Sequence, residues 1–176
     1  MANGQDAGLL QEWGKLWAGQ WSIQSATPSE GGTLAVANGS HTINWMNGGV
    51  ALEAQCTSPA DAATAASGGS RWVAVFDPAS GQIKQSGVSS DGSTDVAYIG
   101  KKGGQWGWKQ TRNFPNGVTE TNCATFIISN GGKTITQHVT ERVLSGAVQP
   151  LEGYVPLANA PAPTLASVCN VLSKVS

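Results

Sequence analysis

Glycine-containing turns punctuate this chain at short, even intervals, and that spacing limits the fold more than any other feature. Asn47-Gly48-Gly49, Asp77-Pro78-Ala79-Ser80-Gly81, Ser90-Asp91-Gly92-Ser93, Gly100–Gly104, Asn113-Phe114-Pro115-Asn116-Gly117 and Asn130-Gly131-Gly132 separate short strand-like runs. Asn-Gly and Asp-Gly supply the positive φ of tight hairpins, and Pro78 pre-sets the φ of a turn that Gly81 leaves. No connection between these runs is long enough for a crossover helix, so the sheet is antiparallel and meandering. Glycine numbers 23, and charged residues are only 12% of the chain, which suits turns and polar strand faces.

The strands predicted this way are Gly19–Ala26, Thr33–Ala37, Ser40–Met46, Val50–Thr57, Arg71–Phe76, Gln82–Ser89, Thr94–Ile99, Gln105–Arg112, Val118–Ser129 and Thr134–Leu144. Asn38-Gly39 is read as a turn, and Ser58–Ser70 as a loop suited to a lid. A meander of about nine or ten strands closes on itself or leaves an edge exposed. The expected fold class is therefore all-β, an antiparallel up-and-down β-barrel of about eight to ten strands with room inside for one small ligand.

Before the first strand, Leu9, Leu10, Trp13, Leu16 and Trp17 form an apolar stripe at helical spacing, with Asp6 as N-cap. So short a helix is marginal alone and must pack on the barrel, as a cap on one end. Residues 1–144 are read as barrel plus helix, and 145–176 as a Pro- and Ala-rich tail. Leu165, Val168, Leu172 and Val175 predict a short C-terminal helix over Thr164–Lys174.

Several function classes are disfavoured. A formal charge of −1 with scattered basic residues argues against nucleic acid. No apolar run is long enough for a membrane-spanning helix. No charged and apolar leader opens the chain, and its composition suits export and the cytoplasm equally. Cys56, Cys123 and Cys169 form no CxxC, and with two distant histidines a metal site has little support. An edge near Ser58–Ser70 leaves a homodimer open.

Tryptophan is the informative excess. Trp13, Trp17 and Trp21 read as packing where the helix meets the barrel. Trp45, Trp72, Trp106 and Trp108 lie within strands, where they either fill the core or line a cavity. Trp45, Trp72, Trp108 and Phe126 are the expected apolar contacts of a small hydrophobic ligand. On a regular last strand Thr136, His138, Thr140 and Arg142 share one face. An inward His138 would anchor a ligand carbonyl or move a proton. His41 is expected to be exposed. Glu53 and Glu120 are strand carboxylates able to partner His138 in catalysis.

Gly19-x-Trp21 opening the first strand, with Arg142 late in the last, resembles the lipocalin superfamily. The ordered turns at Asn47, Phe76–Gly81 and Ser90–Gly92 are similar to those of short bacterial lipocalin-like proteins of unknown function. The resemblance covers roughly residues 9–144. It implies that Trp21 packs under the barrel with Arg142 across its indole, where a guanidinium gains cation–π stabilisation. It implies a fold and a cavity, with no cofactor required. The resemblance carries no activity of its own, and four uses stand open: binding a hydrophobic molecule, acting on one as a cyclase or isomerase, holding haem through His138, or serving as a structural or interaction domain with a filled core.

Overall fold

The computed structural model describes residues 6–28, 34–57, 68–148 and 169–175. The predicted lid over Ser58–Ser70 falls mostly outside them, as do most of the tail and the first part of the predicted C-terminal helix.

Helix α1 (Asp6–Trp17) is followed by β1 (Gly19–Pro28), β2 (Leu34–Met46), β3 (Ala51–Thr57), β4 (Gly69–Asp77), β5 (Gln82–Ser89), β6 (Thr94–Lys102), β7 (Gln105–Asn113), β8 (Thr119–Ser129), β9 (Thr134–Leu144), β10 (Ala147–Val148) and β11 (Cys169–Lys174). Strands β1 to β9 pair in sequence order, each antiparallel to the next. Strand β11 lies between β9 and β1, antiparallel to both, and closes a ten-stranded barrel. The two-residue β10 folds back on the end of β9.

Two sequence expectations change. Residues 169–174 form a strand of the barrel wall, not the end of a helix. Closure of the sheet pairs β11 with a neighbour on each side, from Asn170 to Ser173 on both, and this outweighs its helical spacing. The barrel therefore does not end at residue 144. Asn38-Gly39 is not a turn either: β2 runs through it, with Asn38 opposite Gln24 and Gly39 opposite Ile23. The other turns fall where the glycines predict, and Asn47, Gly48 and Gly49 take φ of 48°, 69° and 95°.

The helix caps one end of the barrel. Leu10, Trp13 and Trp17 are buried, and the Trp13 ring lies 4.8 Å from those of both Trp17 and Trp106. Gln11 Nε2 donates to the Gly49 carbonyl (2.8 Å), and Lys101 Nζ at the β6–β7 hairpin pairs with Glu12. At Gly14 the helix presses on β2: a Cβ there would lie 2.0 Å from the Trp45 ring. The chain leaves the helix through Gly19 at φ +130°, a conformation that favours glycine. Trp21, fully buried, donates its indole N–H to the Trp17 carbonyl at 2.7 Å and so ties the helix end to β1.

Candidate functional site

Alternation along the strands sends Trp72 of β4, Gln85 of β5, Ile99 of β6, Trp108 and Gln110 of β7, Phe126 of β8 and Gln137 of β9 to the barrel interior. With His41, Cys56, Asp95, Arg112, Trp13 and Trp17 they line a cavity of about 260 Å³. Its two ends differ. The end at α1 is aromatic, built from Trp13, Trp17 and Phe126. Toward the far end stand Ser70, Ser89, Asp95 and Arg112.

Among the described residues, six buried side-chain polar atoms have no hydrogen-bond partner. Four belong to this cavity's lining residues: Trp13 Nε1, Trp17 Nε1, His41 Nδ1 and Asp95 Oδ2. Buried polar groups are ordinarily paired, because leaving one unpaired costs about 1–3 kcal/mol. Four such atoms on residues that line one cavity are an unusual concentration of unmet hydrogen-bonding capacity.

His41 sits mid-strand, opposite Trp21 on β1 and Cys56 on β3. Burial lowers its pKa from 6.5 to about 4, so the imidazole is neutral at pH 7. Burial likewise raises the Cys56 thiol, against hydrogen bonds from Ser70 and Trp72, so the thiol stays protonated. Asp95 faces Gly87 of β5, and a Cβ at Gly87 would come within 2.7 Å of Asp95 Oδ1. The glycine leaves the space that the carboxylate occupies.

Arg112 is the register partner of Asp95, yet its guanidinium is engaged elsewhere. Nε donates to Ser93 Oγ and an Nη donates to Asp91 Oδ2, each at 2.7 Å, while the group stacks over Phe114 at 4.7 Å. The Ser93 hydroxyl and amide hold the Asp91 carboxyl below its usual range, and Arg112 adds to this. The pair is thus neutralised at the rim, and Asp95 is left without it.

The residues named from sequence separate into groups. Trp72, Trp108 and Phe126 line the cavity. Trp45 does not; its ring is taken up by the contact with α1 at Gly14. His138 faces the other way. Gln137 is the residue of that stretch in the cavity wall, and His138 pairs with Thr125 and with Cys169 across the outer face. The assumed regular strand fails at a bulge: Cys123 pairs with Glu141 but Ala124 pairs with Val139, leaving Thr140 unmatched. Beyond it Arg142 turns inward and its Nε donates to Glu120 Oε1 at 2.5 Å.

That ion pair occupies Glu120. Glu53 is exposed on the outer face of β3. There it borders a broader groove of about 790 Å³ with Thr42, Asn44, Gln55 and Arg71. None of the unpartnered buried atoms belongs to that groove's lining residues. The cation over Trp21 is Lys174 of β11, its Nζ 5.3 Å from the ring centre. Trp21 lies level with Lys174, whereas Arg142 is eight residues beyond Thr134, roughly 26 Å along β9.

His41 was the residue missed, although a signal for it exists. Along β2, Ser40, Thr42 and Asn44 alternate with His41, Ile43 and Trp45, a period that places His41 on the apolar face. Among the described residues no group of three or more His, Cys, Asp or Glu is arranged to hold a metal. No described helix is long and apolar enough to cross a membrane.

No protein-family model matches the chain, and no curated protein does. Among solved structures, the crystal structure of Rv2717c from M. tuberculosis is similar, with a TM-score of 0.55 and 9% identity over 95% of this chain and 98% of that one. At that identity the likeness concerns the fold, a closed antiparallel barrel with a helix at its start.

Proposed function

We propose that this chain is a lipocalin-like binding protein that encloses one small organic molecule within the barrel. The observation that carries the reading is that four buried, unpartnered polar atoms, Trp13 Nε1, Trp17 Nε1, His41 Nδ1 and Asp95 Oδ2, belong to residues lining one cavity. Trp72, Trp108 and Phe126 offer apolar contact, so the ligand's body is hydrophobic. Gln85 and Gln110 bring amide groups to the lining, so its edges are polar. A volume of about 260 Å³ lies below the ~300–1,000 Å³ of drug-sized sites, which favours a ligand of one ring system.

Binding fits the site better than turnover. A base with a pKa near 4 has little driving force to take a proton at neutral pH, and His41 is the histidine in the cavity wall. The haem reading rested on His138 pointing inward, and His138 lies on the opposite face from Gln137.

Native mass spectrometry of protein taken directly from its host tests the reading, with a thermal-shift screen of single-ring fragments. A retained mass, or fragments that raise Tm and quench tryptophan fluorescence, is expected. A clean apo mass together with no stabilising fragment would overturn it.

A further inference from the structure

Resting on the binding role above, we infer that the ligand is an organic ammonium ion, a small aromatic amine held by Asp95. Asp95 Oδ2 is buried and accepts no hydrogen bond. Its nearest cation by register, Arg112, is committed to Asp91 and Ser93 and stacked on Phe114. Glu120, the other carboxylate of the inner face, is matched by Arg142. His41 is neutral. Among the described residues of the cavity wall, Asp95 is therefore the charged group with no ion pair.

A buried carboxylate oxygen without a donor is costly, and a ligand that brings N–H donors and a positive charge to Asp95 Oδ2 removes that cost. The rest of the wall suits the same ion. Trp72, Trp108 and Phe126 present aromatic surface, which attracts a cation while excluding water. A carboxylate or phosphate ligand would meet Asp95 as a like charge. At the α1 end, the free indole N–H groups of Trp13 and Trp17 favour an acceptor atom at the other end of the ligand. At roughly 30 Å³ per water-sized group, about 260 Å³ holds on the order of nine non-hydrogen atoms. Gly87 belongs to this arrangement, since any side chain there would displace the Asp95 carboxylate.

Three probes of one shape separate the charge states: tyramine, its neutral alcohol tyrosol, and 4-hydroxyphenylacetate. Isothermal titration of the full chain at pH 7 is expected to show tyramine binding about tenfold or more tightly than tyrosol, with no detectable binding of the acid. Asp95→Asn is expected to erase that difference while tyrosol still binds. Tyrosol or the acid binding as tightly as tyramine would overturn the ammonium assignment and leave the binding role standing. Tyramine keeping its advantage in the variant would overturn the role of Asp95. Failure of all three probes to bind the folded wild-type chain would overturn the aromatic-amine assignment with no variant needed, while the binding role stands or falls on the mass and fragment screen.

Discussion

His138 and Arg142 lie on opposite faces of β9, because Thr140 between them has no register partner on β8. On a regular strand they would share a face. The unmatched residue instead sends Arg142 inward onto Glu120 and leaves Gln137, not His138, in the cavity wall. One bulge thus decides which side chains of this strand take part in the interior chemistry.

The ion pair it creates is asymmetric: Glu120 is 10% exposed and Arg142 35%. Removing the arginine leaves a nearly buried carboxylate alone. Arg142→Met is expected to lower stability by about 2 kcal/mol in urea denaturation, with Glu120→Gln in the same chain recovering part of the loss. An Arg142→Met protein as stable as wild type would show that the pair does not matter to the fold.

At Gly14 the usual sign of a substitution is expected to reverse. Replacing an interior helix glycine by alanine ordinarily stabilises by roughly 0.5–1 kcal/mol. Here the new methyl would meet the Trp45 ring at 2.0 Å, so Gly14→Ala is expected to destabilise by about 1–3 kcal/mol. With Trp45→Leu present the same change becomes neutral or stabilising. A double-mutant cycle from thermal melts measures this; a stabilising effect in the wild-type background would show that α1 is not pressed on β2.

The fold was legible where local chemistry decides it. The turns at Asn47, Pro78, Gly92 and Asn130 each carry a residue type that their backbone requires, and α1 carries its stripe. The closing strand was not legible. In β11 the adjacent Val171 and Leu172 are both buried, so no two-residue alternation marks it as a strand. The cavity was half legible: aromatic residues on predicted strands pointed to it, but Asn38-Gly39 masked His41, and the bulge at Thr140 reversed His138. A bulge depends on pairing between strands, which a single sequence does not display.

Because β11 supplies the only described link between the edges of β1 and β9, the barrel is expected to fail without it. A chain ending at residue 168 leaves both edges with unpaired backbone and exposes the Ile23 and Ile135 side of the core, which Leu172 covers. Loss of the near-UV circular dichroism signal and of cooperative unfolding is expected. Cooperative melting of the shortened chain would mean that β1 and β9 can close on each other directly.

His41 makes stability fall with acid in a defined window. Its folded pKa is about 4 against 6.5 for the free side chain, so between these values the unfolded chain binds a proton that the folded chain does not. The contribution of neutral His41 is present in full above about pH 6.5 and is lost as pH falls toward 4. Below that both states are protonated and the slope from this residue ends. The loss amounts to about 3 kcal/mol over the window. Carboxylates elsewhere contribute slopes of their own, so the quantity to compare is the wild type minus His41→Gln, by urea denaturation from pH 7 to 4. Glutamine keeps a polar group in the cavity but takes up no proton, so the difference curve isolates the imidazole. A flat difference would place His41 in contact with water and remove it from the cavity wall. A slope confined to that window would fix it inside the cavity wall, as a neutral hydrogen-bonding group.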